Sequence, residues 1–65
     1  MNIRERRIIE LLKRNPEGLT QREISNATSM TEATVSKYVP ILEAKGKVEI
    51  RKIGVSNLVR LKNDV

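Results

Sequence analysis

Cationic side chains are the main chemistry that this chain carries. Thirteen Lys and Arg residues stand against eight acidic ones, a net charge of +5 over 65 residues. Cysteine and histidine are absent, which removes disulfides, thiolate and imidazole metal ligands, and the commonest general base. Seven Glu and one Asp remain, scattered among basic residues rather than paired for acid–base work. The three glycines are isolated, so none builds a phosphate-cradling loop. On these grounds no catalytic residue, metal ligand or cofactor is expected, and the chain is not expected to be an enzyme. What is left is ion pairing and hydrogen bonding with a polyanion. Residues 1–14 carry five basic and two acidic side chains, residues 15–32 one and three, and residues 37–62 seven and two. Positive charge therefore gathers toward both ends and spares the middle, which favours a polyanionic partner. A membrane surface is a poorer match, because it suits a basic amphipathic helix with Trp or Phe and the chain has neither. The longest apolar runs are two or three residues. They are too short for a bilayer span or a signal-peptide core, so a soluble cytoplasmic protein is expected.

Sixty-five residues make one domain at most, with a modest core. The domain is expected over residues 1–62, with 63–65 as a short tail. Thr20-Gln21-Arg22-Glu23 is a capping box, in which the Thr hydroxyl accepts from the third helical amide and the Glu carboxylate reaches back to the Thr amide. Leu19 and Ile24 stand at hydrophobic-staple spacing around it. A second helix opening follows at Thr31, with Met30 and Val35 repeating the staple. Two such openings in tandem predict a helix from about 21 to 27, a turn at Thr28-Ser29, and a further helix from 32 to about 45. Gly46 is the expected stop, because glycine takes the left-handed conformation without steric cost. Upstream, Asn2 with Glu5 caps a first helix over 2–14, whose stripe is Ile8, Leu11 and Leu12 and which Asn15-Pro16 ends. Residues 17–19 connect it to the second helix, with room for a one- or two-residue strand stub. After Gly46 the period shortens to two. Val48 and Ile50, then Val59 and Leu61, mark two strands around a turn at 53–57. The predicted core is Ile8, Leu11, Leu12, Leu19, Ile24, Ala27, Met30, Val35, Val39, Leu42, Val48, Ile50, Val59 and Leu61.

Three helices followed by a β-hairpin, with a helix-turn-helix in helices two and three, make an α+β layout. The chain here resembles the winged helix-turn-helix regulators of bacteria and archaea, of the MarR, ArsR and Lrp-like kind. The resemblance rests on Leu19-Thr20-Gln21-Arg22-Glu23-Ile24, on Met30-Thr31-Glu32-Ala33-Thr34-Val35-Ser36-Lys37-Tyr38-Val39, and on Leu42-Glu43-Ala44-Lys45-Gly46-Lys47-Val48. It implies a winged helix that binds double-stranded DNA as a prokaryotic transcriptional regulator. Helix three (about 32–45) would enter the major groove, and the two-stranded wing (about 51–57) would lie on the backbone or in the minor groove. Position by position, the groove-facing residues would be Thr31, Glu32, Ala33, Thr34, Ser36 and Lys37. Wing contacts would come from Arg51, Lys52, Ser56 and Asn57. Two residues depart from the family's pattern. Ser29 stands where glycine is usual and would be strained at positive φ. Pro40, in mid-helix, should kink or split helix three between residues 36 and 40.

The chemistry of these contacts follows from the side chains. Lys37 can bridge to a phosphate or to guanine O6 and N7, and Ala33 can pack on a thymine methyl. Thr34 and Ser36 can donate to phosphates or bases. Thr20, Gln21 and Arg22 open helix two, whose free amides and dipole suit a phosphate. Arginine near a wing tip suits a narrow minor groove. Tyr38, the single aromatic, argues against single-strand binding by base stacking. The alternative reading is a winged helix used for protein–protein contact in a larger assembly. Ile3, Ile9 and Ile41 lie off the core stripes and are candidates for burial in a homodimer. Many relatives dimerise through an extra terminal helix; without one here, dimerisation through helix one or excision from a longer protein are the options. No small-molecule effector is implied.

Overall fold

The computed structural model describes residues 2–62, so the tail expected at 63–65 lies outside the described residues. The elements run α1 (Ile3–Lys13), β1 (Leu19–Thr20), α2 (Gln21–Thr28), α3 (Glu32–Ala44), β2 (Val48–Ile53) and β3 (Ser56–Leu61). This is the expected winged-helix order, and the strand stub at Leu19–Thr20 is present.

Each helix starts where its cap directs. The Asn2 side chain accepts from the Glu5 amide at 2.9 Å, and the Glu5 carboxylate accepts from the Asn2 amide at 3.1 Å. Thr20 and Glu23 repeat this exchange at 3.2 and 2.8 Å. Thr31 accepts from the Thr34 amide at 3.1 Å. At the other end of α3, Gly46 (φ +74) donates to the Glu43 carbonyl and Lys47 to that of Leu42, both at 3.0 Å. These two bonds form a Schellman stop and turn the chain into β2.

Ile8, Leu12, Ile24, Val35, Val39, Leu42, Val48 and Val59 form the buried core. Leu11, Leu19, Met30, Ile50 and Leu61 pack against it, as do Ile9 and Tyr38. Ile9 is thus half-buried rather than spare, whereas Ile3 and Ile41 stay exposed. Ala27 corrects the predicted core. It is exposed on α2, because the inward face of that short helix is taken by Ile24.

The sheet is antiparallel in the order β1-β3-β2. Leu19 pairs with Val59 and Thr20 with Leu58, while Val48 to Ile53 pair with Leu61 to Ser56. The turn is shorter than the sequence implies. Only Gly54 and Val55 lie between the strands, and Ile53, Ser56 and Asn57 are paired. Gly54 takes φ +61 while Val55 does not, so the first turn position alone needs a left-handed residue. Gly18 (φ +95) lets the connector run against β3, since a Cβ there would sit 2.9 Å from the Val59 carbonyl oxygen.

Both departures from the family pattern are visible. Ser29 is left-handed, with φ 61 and ψ 19. Pro40 does not split α3, which is continuous from Glu32 to Ala44. Its missing amide leaves the Ser36 carbonyl without the usual helical donor.

Candidate nucleic-acid interface

The buried stripe of α3 fixes what its other face offers. Val35, Val39 and Leu42 point into the core, so Ala33, Ser36, Lys37, Pro40 and Ala44 face outward and are exposed. Lys37 stands between small residues on this face, with Nζ 5.6 Å from the Tyr38 ring centroid. That cation–π contact holds the ammonium over the helix without neutralising it. Among the described residues Lys37 has no carboxylate partner, and neither do Arg51 and Lys52.

Several of the other nominated side chains are already engaged with one another. Ser36 Oγ donates to Gln21 Oε1 at 2.9 Å, tying α3 to the start of α2. The bond uses the serine proton but leaves the Gln21 amide hydrogens free to donate. The Thr31 and Thr34 hydroxyls lie 2.9 Å apart. Arg22 Nε is 3.5 Å from Glu32 Oε1 in an exposed pair. The pair offsets the one acidic residue of the nominated face and occupies part of the guanidinium; being exposed, it is weak. The N-terminus of α2 is only partly open to a phosphate. The Thr20 amide is taken by the Glu23 carboxylate at 2.8 Å, and the Thr20 hydroxyl accepts from the Glu23 amide. The amides of Gln21 and Arg22, in the first turn, have no intrahelical acceptor.

The four wing residues do not form one surface. Strand alternation puts Lys52 and its cross-strand partner Asn57 on the face that carries Val48, Ile50 and Val59. Arg51 and Ser56 lie on the other face, with Leu58 opposite Arg51. Ile53 and Val55 at the tip are exposed and apolar, so the end of the wing itself carries no charge.

Two features escaped the sequence reading. Glu5 is 4% exposed, and its Oε2 accepts a hydrogen bond from the Lys45 ammonium, with Nζ 2.8 Å away. The Lys45 hydrogen bond, helped by the Asn2 amide, holds the Glu5 carboxyl below its ordinary range. Its spacing to Ile8 and Leu12 marked it as inward-facing. The second feature is a groove in which Arg4 and Arg7 meet Thr31 and Thr34, at the start of α3. Their recurrence three residues apart on α1 was the available signal.

Three helices, a capped tandem of α2 and α3, and a hairpin bearing cations that have no carboxylate partner among the described residues define a winged-helix domain of the nucleic-acid-binding kind. A family model described as winged helix-turn-helix DNA-binding matches residues 1–49, and the chain belongs to that family. Among solved structures, the PcaV transcriptional regulator from Streptomyces coelicolor, in complex with its natural ligand, superposes with a TM-score of 0.90 at 22% identity. The likeness covers 98% of this chain and 46% of that one and shows the fold. A homodimeric winged helix-turn-helix DNA-binding domain from Mycobacterium bovis, a possible ArsR-family transcriptional regulator, is 30% identical with a TM-score of 0.83. The match covers 97% of this chain and 56% of that domain, so the chain spans about half the length of each of these two structures. No curated protein matches it.

Proposed function

We propose that residues 1–62 act as one domain that binds double-stranded DNA, with α3 in the major groove and the wing on the backbone or in the minor groove. The carrying observation is Lys37, an unneutralised cation on the exposed face of α3 among small side chains that permit close approach. In this reading Lys37 and Thr34 read bases, and Ala33 meets a thymine methyl. Thr31 and Ser36 donate to backbone or bases, and Gln21 and Arg22 with the α2 amides hold a phosphate beside the Thr20 cap. Glu32 acts through Arg22, restraining its guanidinium. Arg51 and Lys52, with Ser56 and Asn57, contact the strand that the wing follows.

The domain works in transcriptional regulation in the cytoplasm, without catalysis or a cofactor. It works as a homodimer like the Mycobacterium bovis domain, so that two α3 helices read two half-sites. No helix among the described residues is long and apolar enough to cross a membrane. The exposed Ile53 and Val55 at the wing tip favour a second reading, a module that docks on protein.

Selection of bound sites from a random duplex library separates the two. A recovered motif with two-fold symmetry supports the DNA reading and the dimer. An unenriched pool, together with no gel shift on random duplex at low salt, moves the protein-docking reading ahead.

A further inference from the structure

Two adjoining grooves run along the side of α1 that faces the end of α2. One, of about 460 Å³, is lined by Arg7, Leu11, Arg14, Ala27 and Thr28 among others. The next, of about 440 Å³, shares Ile3, Arg7 and Thr28 and adds Arg4, Ser29, Thr31 and Thr34. The channel thus ends at the start of α3, beside residues assigned above to DNA.

Its charge is one-sided. At about 100° per residue, Arg4, Leu11 and Arg7 on α1 and Arg14 at its C-cap fall within an arc of about 80°, and Arg4 to Arg14 spans about 15 Å along the axis. All three arginines are exposed, and among the described residues none has a carboxylate partner. Glu10 is the single acid in the lining, and Lys13 pairs with it at 3.2 Å. The apolar lining is Ile3, Leu11, Ala27 and Met30, and the wall near α3 is otherwise hydroxyl-rich, with Thr28, Ser29, Thr31 and Thr34. Guanidinium groups break up that apolar lining, which suits a polyanion: it would find the forked donors of Arg4, Arg7 and Arg14, with Arg6 beside them.

We infer that Arg4, Arg7 and Arg14 form a second phosphate-binding surface, which takes the DNA backbone flanking the groove entered by α3. The inference rests on the DNA-binding reading above and extends it. The footprint on DNA is then wider than α3 and the wing alone make it. Binding on this flank follows the backbone and not the base sequence, because arginines on a phosphate strand carry no base readout.

The test is a salt titration of the full chain on a random-sequence duplex, read by fluorescence anisotropy. The Arg4→Gln/Arg7→Gln double variant keeps most of each exposed aliphatic stem and a polar end, and breaks no ion pair among the described residues, so it should melt like the parent. It should lower the magnitude of the log K against log salt slope by about two, and Arg14→Gln should lower it by about one, at about 0.9 per phosphate. Enrichment of a selected site over random duplex should stay unchanged. A double variant with the parental slope overturns the proposal while leaving duplex binding by α3 standing. So does an equal loss of slope in Lys62→Gln, outside the groove, which would mean that net charge alone is being read. A parental dimer that becomes a monomer in the double variant also overturns it, by making the groove a subunit contact. Failure of the parent to bind any duplex removes this inference together with the reading beneath it.

Discussion

Lys37 and Lys52 are both exposed lysines with no carboxylate partner among the described residues, but they stand in different surroundings, and the roles proposed for them differ accordingly. Lys37 stands on the outward face of α3 between small residues, the face proposed above to enter the groove. Lys37→Ala should therefore relax sequence preference, at about 1–3 kcal/mol per lost base contact. Lys52 lies on a protruding strand, and Lys52→Ala should weaken all duplexes alike and reduce the salt slope by about one. A Lys37→Ala protein with unchanged affinity on both a selected and a random duplex would end the assignment of α3 as the reading helix. Arg51 and Lys52 project from opposite faces of the wing, so a single DNA strand should feel one of them far more than the other.

Glu5 makes a separate prediction at this scale. Its carboxyl is held below the ordinary value of 4.5, first by the Lys45 hydrogen bond and then by the Asn2 amide. A carboxylate depressed on folding contributes stability that is complete above its unfolded pKa and is lost as pH falls through the folded one. The parent should lose melting temperature below about pH 4.5 more steeply than Glu5→Gln does. Parallel melting curves from pH 7 to pH 2.5 would show that the pair contributes nothing.

At the scale of elements, two backbone positions should respond in opposite directions. Ser29 is a non-glycine residue in the left-handed region, which costs roughly 1–2 kcal/mol. Ser29→Gly relieves that cost but loosens the unfolded chain by about 0.5–1 kcal/mol, for a net gain of about 0–1.5 kcal/mol. Gly18→Ala drives a Cβ against the β3 backbone at 2.9 Å and should destabilise by about 1–3 kcal/mol. Urea unfolding of both variants checks the pair, and a stabilised Gly18→Ala would contradict the close contact. Ser29 was legible because the family resemblance puts a glycine at its place in the turn between the two caps. Gly18 was not, because its constraint comes from β3, forty residues away in the chain. The same distinction runs through the rest of the fold. Caps, staples and the Gly46 stop are local and were readable. The turn is shorter than the composition of 53–57 implies, because cross-strand pairing keeps Ile53, Ser56 and Asn57 in the ladder. Ala27 was misplaced because helical period alone cannot say how wide a stripe an eight-residue helix buries.

The whole molecule hangs on eight buried apolar side chains drawn from every element except β1. Domains this small are marginally stable, so one core truncation is a large share of the total. Leu42 is 0% exposed and joins α3 to the rest of the core. Leu42→Ala should cost about 2–5 kcal/mol, enough to populate the unfolded state at 25 °C, which circular dichroism would register. A cooperative melt within a few degrees of the parent's would show that the core tolerates the cavity. The candidate site was legible at this scale only in outline. The sequence located cations on α3 and the wing, but not that Ser36 and Gln21, Arg22 and Glu32, and Thr31 and Thr34 are each other's partners. Those pairings join residues whose proximity depends on how α2 and α3 cross.

The seating of the wing also limits how its reach can evolve. β1 accompanies β3 only as far as Leu58, and beyond it the hairpin runs on with two cross-strand pairs, Lys52–Asn57 and Ile53–Ser56. Removing one pair would draw the tip back by about 3.4 Å but turn its side chains to the opposite face, because strand side chains alternate. Only insertions or deletions of two pairs, about 7 Å at a time, preserve which residues look toward a bound duplex. Wing length in chains of this architecture is thus quantised, and natural variants should differ from this one by even numbers of pairs wherever the tip keeps its role.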